Sequence, residues 1–292
     1  MRDEGRNGKD EVVRTGVVRD AHSTPHPLLW AKPGYGRSPV MGAARYPLGS
    51  PGIQRSQVPL TVHSLPLTII VPTLNEAPGI VVFLEALQPL RERGAELILA
   101  DGGSRDGTIA GATALVDRVV SSPRGRALQM NAGAAAANGD VLLFLHADCK
   151  LPDDADRLIA DALRSSRRRW GRFDVRLSGA APLLRVIEWM MNRRSRLTGI
   201  CTGDQALFIE RPLFEAVHGF APIALMEDLA ISRALKRDSA PLCLKAKVSV
   251  SSRRWEKHGI WRTIVLMWRL RFAYFCGAKP DRLAQVYHGR TD

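Results

Sequence analysis

The chain has 292 residues, of which 45% are apolar, and a formal charge of +13. A chain of that length and apolar content can bury one large core with appendages, which excludes a wholly disordered protein. Nine Lys/Arg face five Asp/Glu in residues 1–64, 22 face 21 in residues 65–244, and 11 face three in residues 245–292. The basic excess therefore sits mainly in a tryptophan-rich tail, which places an anionic membrane surface ahead of nucleic acid as a partner.

Residues 1–64 are rich in Gly, Pro, Ser and Arg and hold no sustained period of 2 or 3.6 residues, so they are expected to form a disordered extension. Their apolar stretches are short and interrupted, which gives no signal peptide. No stretch reaches the roughly 18 uncharged apolar residues of a spanning helix. The expected location is the cytoplasm, with peripheral contact at the inner face of the cell membrane. Cys149, Cys201, Cys243 and Cys276 are too widely spaced for a CxxC motif and read as buried free thiols.

From Leu67 the pattern alternates strand and helix. Leu67 to Val71, Glu96 to Ala100, Leu115 to Val120 and Val141 to Leu145 read as buried strands, separated by helices at Gly79 to Leu90 and Arg126 to Ala137. Such βαβ units imply a mostly parallel sheet. Beyond residue 150 the predicted elements are helices at Asp153 to Leu163 and Pro182 to Arg194, and strands at Gly171 to Leu177 and Gln205 to Ile209. Helices near Pro212 to Val217 and Glu227 to Leu235 and a strand at Cys243 to Ser249 follow. Two tail helices, Ile260 to Cys276 and Pro280 to Tyr287, end the chain.

Four turns carry candidate chemistry. In ADGGSRDGT, Asp101 closes a strand, Gly102 and Gly103 open a turn tolerant of positive φ, and Asp106 can cap the next helix. A carboxylate beside such backbone suits a ribose or a base edge, although the same layout serves an ordinary strand-turn-helix connection. TIIVPTLNEAPGI repeats that layout, and its Pro72, Thr73 and Glu76 would lie beside Asp101 if the two strands are neighbours. Glu76 equally suits a helix N-terminus. In VLLFLHADCKLP, His146 and Asp148 emerge two residues apart after the strand, where a hard oxygen ligand suits Mg²⁺ or Mn²⁺ and a diphosphate. The fourth, Glu227-Asp228, opens a helix. Adjacent carboxylates raise one another's pKa, and Asp228 is the candidate general base, with dipole complementation as the plain alternative.

The order NE, DGGSxDGT, HAD and ED, closed by Arg253-Arg254-Trp255, resembles glycosyltransferase family 2. The segment from Gly125 to Ala134, GRALQMNAGA, narrows the resemblance to a bacterial branch of that family. The resemblance spans about residues 67–288 and implies a GT-A fold, a Rossmann-like α/β domain with a mostly parallel central sheet flanked by helices. That domain is expected at 65–255, with C-terminal amphipathic helices at 256–292. It implies an inverting transfer of sugar from a nucleotide-diphosphate donor, UDP- or GDP-linked, to a hydroxyl acceptor, potentially lipid-linked. By the same resemblance Pro72, Thr73 and Glu76 line the nucleotide pocket, Asp101 and Gly103 hold the nucleoside, and Arg126 approaches the diphosphate or pyrimidine. Asp148 takes the place of the last aspartate of the metal motif, Asp228 that of the base beside Glu227, and Arg253 and Trp255 shape the acceptor side near the phosphates.

Two departures from the family pattern matter. His146 stands where the metal motif has its first carboxylate, and no Gln stands at the offset of the processive synthases' QxxRW motif, so a single transfer is expected. A noncatalytic nucleotide-sugar or nucleic-acid binder with a basic tail is the alternative. In the tail, Trp261, Leu266, Trp268, Phe272 and Phe275 supply a large apolar surface, either for packing on the domain or for a lipid interface.

Overall fold

The computed structural model describes residues 65–289; the extension expected at residues 1–64 lies outside the described residues. In chain order the elements are β1 (Leu67–Thr73), α1 (Ala77–Glu85), α2 (Gln88–Glu92), β2 (Glu96–Asp101), α3 (Thr108–Ala112), β3 (Arg118–Ser121), α4 (Arg126–Ala136) and β4 (Val141–Phe144). Then come β5 (Cys149–Lys150), α5 (Ala155–Arg164), β6 (Trp170–Leu177), α6 (Pro182–Thr198), β7 (Leu207–Glu210), α7 (Arg211–Ala216), α8 (Glu227–Leu235) and β8 (Leu242–Val250). Helices α9 (Arg253–His258), α10 (Ile260–Phe275) and α11 (Pro280–His288) complete the order.

One eight-stranded sheet runs β3-β2-β1-β4-β7-β6-β8-β5. Strand β1 pairs in parallel with β2 and β4, and β2 with β3, as the βαβ reading requires. Strand β7 lies antiparallel between β4 and β6, while β6 and β8 pair in parallel, so the sheet is mixed but mostly parallel. Alternation along β1 divides the core. Ile69 and Val71 face one cluster with Leu84, Leu97, Leu99 and Ile159, whereas Ile70 faces another with Ile98, Met130, Phe144 and Phe214. Strands buried on both faces read as continuous apolar runs, which is why these segments were legible. A third cluster joins Met226 and Leu229 of the α8 region to Leu270 of α10 and Leu283 of α11.

Several boundaries differ from expectation. The single helix expected over Gly79 to Leu90 is broken into α1 and α2, because Pro89 has no N–H and its ring would clash with the Glu85 carbonyl of a continuous helix. The strand expected from Leu115 begins at Arg118, after a 3₁₀ turn at Thr113–Leu115. The strand expected from Gln205 begins at Leu207, because Thr202 and Gln205 form a capping box over a 3₁₀ turn at Gly203–Gln205. Residues 253–258, read only as a motif, are helical. The tail splits its apolar set: Leu266 packs into the third cluster, while Trp261, Trp268, Phe272 and Phe275 are 61–72% exposed. Among the described residues no helix is long and apolar enough to cross a membrane.

Helix α4 lies unusually close to the sheet. A Cβ on Gly133 would meet Ile70 Cγ2 at 2.4 Å and Ala100 Cβ at 3.5 Å. In an exposed helix interior, Gly→Ala stabilises by about 0.5–1 kcal/mol, yet overpacking a filled core costs about 1–3 kcal/mol. The contact distance decides the sign, so Gly133→Ala should lower the urea midpoint of unfolding. An unchanged or raised midpoint would show that α4 has room to move off the sheet.

Candidate active site

Because β1, β2 and β4 run in parallel, their carboxyl ends open on one edge of the sheet, where open α/β sheets bind ligands. Register sets Thr73 opposite Asp101, so the first two turns are neighbours as the sequence reading required. They are also stitched together. Asn75, at φ 57°, donates its N–H to Ser104 Oγ at 2.9 Å and accepts at Oδ1 from the Arg105 N–H at 2.9 Å. Glu76 N–H donates to Thr108 Oγ1 at 2.8 Å, and Ala77 N–H to Asp106 Oδ2 at 3.0 Å.

Asp101 is 2% exposed, and its own turn engages it. Its Oδ2 accepts from the N–H groups of Gly103 and Ser104 at 2.8 and 2.9 Å, and its Oδ1 accepts from Ser104 Oγ at 2.5 Å. Gly103 sits at φ +92°, the left-handed backbone that lets the turn curl over the carboxylate. Beneath both turns, the buried Gln129 amide donates to the carbonyls of Thr73 at 2.6 Å and Ala100 at 3.0 Å. Two residues on, Asn131 grips Phe220 from both sides, donating to its carbonyl and accepting from its N–H at 2.8 and 2.9 Å. The polar residues of GRALQMN thus fasten strand ends and the segment leading to α8.

A cleft of about 1740 Å³ lies above these ends. Among the predicted residues, Pro72, Glu76, Arg126, His146, Asp148, Arg253 and Trp255 line it. Thr73, Asp101, Gly103, Glu227 and Asp228 do not. Thr73, Asp101 and Gly103 stand behind the cleft in the stitched turns, whereas Glu227 and Asp228 border a smaller pocket with Thr202 and Gly203. His146 borders both cavities and forms part of the partition between them. Asp228 Oδ2 accepts from the Gly203 N–H at 3.1 Å, which fixes the carboxylate against that partition.

Sequence reasoning missed Asp204, which also lines the cleft, with Oδ1 3.5 Å from His146 Nδ1. The Thr202-to-Gln205 capping box was the available signal, since it turns the intervening Asp204 outward. Burial works against the Asp204 charge, but the His146 hydrogen bond and nearby Arg126 and Arg271 outweigh it and hold the carboxyl below its usual range. Glu76 is moved up by burial and by the charges of Asp148 and Asp106. Burial opposes charge on Arg126 too, yet Glu227, 3.6 Å away, holds that guanidinium above its usual value.

His146, Asp148 and Cys149 bring ligand atoms within 4.8 Å of one another. Burial and the Asp148 charge raise the Cys149 thiol well above its usual value, so it stays protonated and donates to Asp148 Oδ1 at 3.5 Å. That leaves an exposed hard carboxylate and an imidazole as donors, a set that fits a divalent ion completing its shell from a diphosphate and water.

Burial and the Asp228 charge raise the pKa of Glu227, against the pull of Arg126. A carboxyl raised in the folded state contributes stability that is fully present at low pH and is lost as pH climbs from the ordinary glutamate value through the raised one. Asp228→Asn removes the second cause, so the decline in Tm across that window should shrink when melting is followed from pH 4 to 8. An identical pH profile in wild type and variant would show that the two carboxyls do not sense each other.

A family model described as glycosyl transferase family 2 matches residues 68–209, which run from β1 through β7. Among solved structures, S. aureus TarS 1-349 in complex with UDP-GlcNAc is 16% identical with a TM-score of 0.53, covering 64% of this chain and 58% of that one. The mannosyltransferase PcManGT from Pyrobaculum calidifontis, in complex with GDP-Man and Mn²⁺, is 20% identical with a TM-score of 0.53, covering 77% and 68%. The chain thus spans about 60% of the TarS 1-349 length. No curated protein matches it. At these identities the structural likeness speaks for the fold, which is GT-A, and the match over residues 68–209 makes that part of the chain similar to glycosyl transferase family 2.

Proposed function

We propose that the protein is an inverting glycosyltransferase that moves one sugar from a UDP- or GDP-sugar to a hydroxyl, assisted by Mg²⁺ or Mn²⁺. The observation that carries this reading is the gathering of Glu76, Arg126, His146, Asp148 and Asp204 on one cleft at the carboxyl ends of parallel strands. The related folds bind UDP-GlcNAc in one case and GDP-Man with Mn²⁺ in the other, which supports the donor class.

Pro72, Thr73 and Glu76 flank the nucleotide in this reading, and Asp101 holds the nucleoside. A carboxylate offers about four acceptor positions; three on Asp101 are taken by its turn, which leaves one for a ribose or base donor. Asp148 and His146 would hold the divalent ion, with Asp204 3.5 Å from the imidazole Nδ1 to position the ring. A bound ion would neutralise charge on the departing diphosphate. Arg126 and Arg253 add positive charge on the same wall, and Trp255 closes the acceptor side.

Asp228 is the proposed base, receiving the acceptor's hydroxyl proton as that oxygen attacks the anomeric carbon. A base must come within hydrogen-bond reach of its proton, about 2.6–3.2 Å, so this role requires the partition at His146 and Gly203 to open toward Asp228. Asp204 is favoured as a second candidate by one observation, its place on the cleft itself.

Asp148→Ala should abolish the stabilisation that UDP with Mn²⁺ gives in thermal melting, along with transfer. Asp228→Asn should retain that stabilisation and lose about 10²–10⁴-fold in turnover, the usual contribution of general-base catalysis. Full turnover in Asp228→Asn with loss in Asp204→Asn would move the base to Asp204.

The exposed face of α10, with Trp261, Val265, Trp268, Phe272 and Phe275, supports peripheral contact with a membrane surface, which the basic tail would favour when the lipid is anionic. Wild-type protein should sediment with phosphatidylserine vesicles in a salt-sensitive manner, and a Trp268→Ser, Phe272→Ser double variant should stay in the supernatant. Equal sedimentation of both would remove α10 from the contact.

A further inference from the structure

Of the guanidiniums on the cleft with no part in the roles assigned so far, two hold buried donors. Arg194 comes from the last turns of α6 and Arg271 from the second half of α10, and both side chains line the cavity that holds Asp148 and Asp204. The Nε and Nη2 atoms of Arg194 and the Nε atom of Arg271 are buried without a hydrogen-bond partner among the described residues. Neither arginine has an ion pair there. Their neighbour on β6 behaves differently, since the fully buried Arg172 is paired with Asp174, which Arg196 also engages. Buried, unpaired guanidinium donors are costly unless a ligand completes them, and the planar fork of arginine matches carboxylate and phosphate oxygens in pairs.

Their surroundings indicate which ligand. Burial first, and then repulsion from Arg271, push Arg194 down to about 10. Like charges are therefore held together in a half-buried place, with Arg172 adding to the repulsion on Arg194 and Asp228 and, for Arg271, Asp204 offsetting it. Asp228 is the proposed base, so the pair belongs to the side of the incoming hydroxyl, on elements other than the β1, β2 and β4 turns that frame the donor. Around them stand Ile187, Met190 and Met191 of α6 and Leu266 and Met267 of α10, an apolar wall beside a doubly positive spot. A dianionic group would neutralise the pair and use their free N–H donors.

We infer that Arg194 and Arg271 form a subsite for a phosphate group carried by the acceptor, which makes the acceptor a hydroxyl compound bearing a phosphate. The assignment rests on the transferase reading above. Its source is either a small soluble phosphate ester or a lipid-borne phosphate, and the two share the same recognition chemistry.

The test is a set of titrations on the full chain. UDP with Mn²⁺ is titrated first; then, with both saturating, inorganic phosphate is titrated into wild type, Arg194→Ala, Arg271→Ala and the corresponding Lys variants. Phosphate should bind wild type, weaken by about tenfold or more in each Ala variant, and recover in part in the Lys variants, while the affinity for UDP with Mn²⁺ stays within about twofold. A tenfold loss corresponds to about 1.4 kcal/mol. In a parallel arm, phosphatidylcholine vesicles with and without a polyprenyl phosphate distinguish a lipid source, which would give phosphate-lipid-dependent and Arg194-dependent binding, from a soluble one, which would give the inorganic phosphate effect alone. Absence of phosphate binding to wild type, equal binding by the Ala variants, or displacement of phosphate by UDP would each overturn the subsite. If the Ala variants lose UDP affinity instead, the pair serves the donor diphosphate and the inference fails while the transferase reading stands. Wild-type protein that fails to bind any nucleotide with Mn²⁺ would remove the transferase reading, and the acceptor assignment with it.

Discussion

One buried amide holds the site in place. The Gln129 side chain reaches from α4 to the Thr73 carbonyl that ends β1 and the Ala100 carbonyl one residue before the end of β2, where both strands leave the sheet for the cleft. Thr73 O also accepts from the Gly102 N–H at 2.9 Å, so three segments meet at one oxygen. This requires α4 to lie almost on the strands, and the missing side chain at Gly133 is what permits the approach. Everything above that point, the paired turns and the walls built on them, inherits its position from this contact.

Much of this arrangement was legible in the sequence, because buried parallel strands and polar strand-end turns leave a local signature. DGGS with NE, HAD and ED fell at the ends of β2, β1 and β4 and at the start of α8, where the reading placed them. What was not legible depends on contacts between distant segments. Asp204 faces the cleft because a capping box turns its backbone, and Arg194 and Arg271 are ordinary helical arginines until tertiary packing buries part of each guanidinium. In the triple-arginine run at Arg167 to Arg169, Arg169 pairs with Glu210 at 2.8 Å and Arg168 donates to the Pro241 carbonyl at 3.0 Å. Periodicity cannot report such partners, since nothing in the local pattern depends on them.

The three carboxylates assigned to nucleoside, metal and base do not share one cavity. Asp101 is absorbed by its turn, Asp148 stands on the open wall, and Asp228 lies across a partition formed in part by His146. Polar groups meet locally at that partition, Arg126 3.6 Å from Glu227 and His146 Nδ1 3.5 Å from Asp204 Oδ1.

The tail is joined to the same machinery through its packing. Leu270 and Leu283 share a hydrophobic cluster with Met226 and Leu229, the residues that bracket Glu227 and Asp228, and Met226 itself holds a left-handed φ of 73° at the helix start. The segment boundary near residue 255 therefore cuts through a core instead of a hinge. A recombinant fragment ending there would uncover the underside of the carboxylate pair and release the backbone constraint at Met226, so the minimal unit for expression and crystallisation extends through α11.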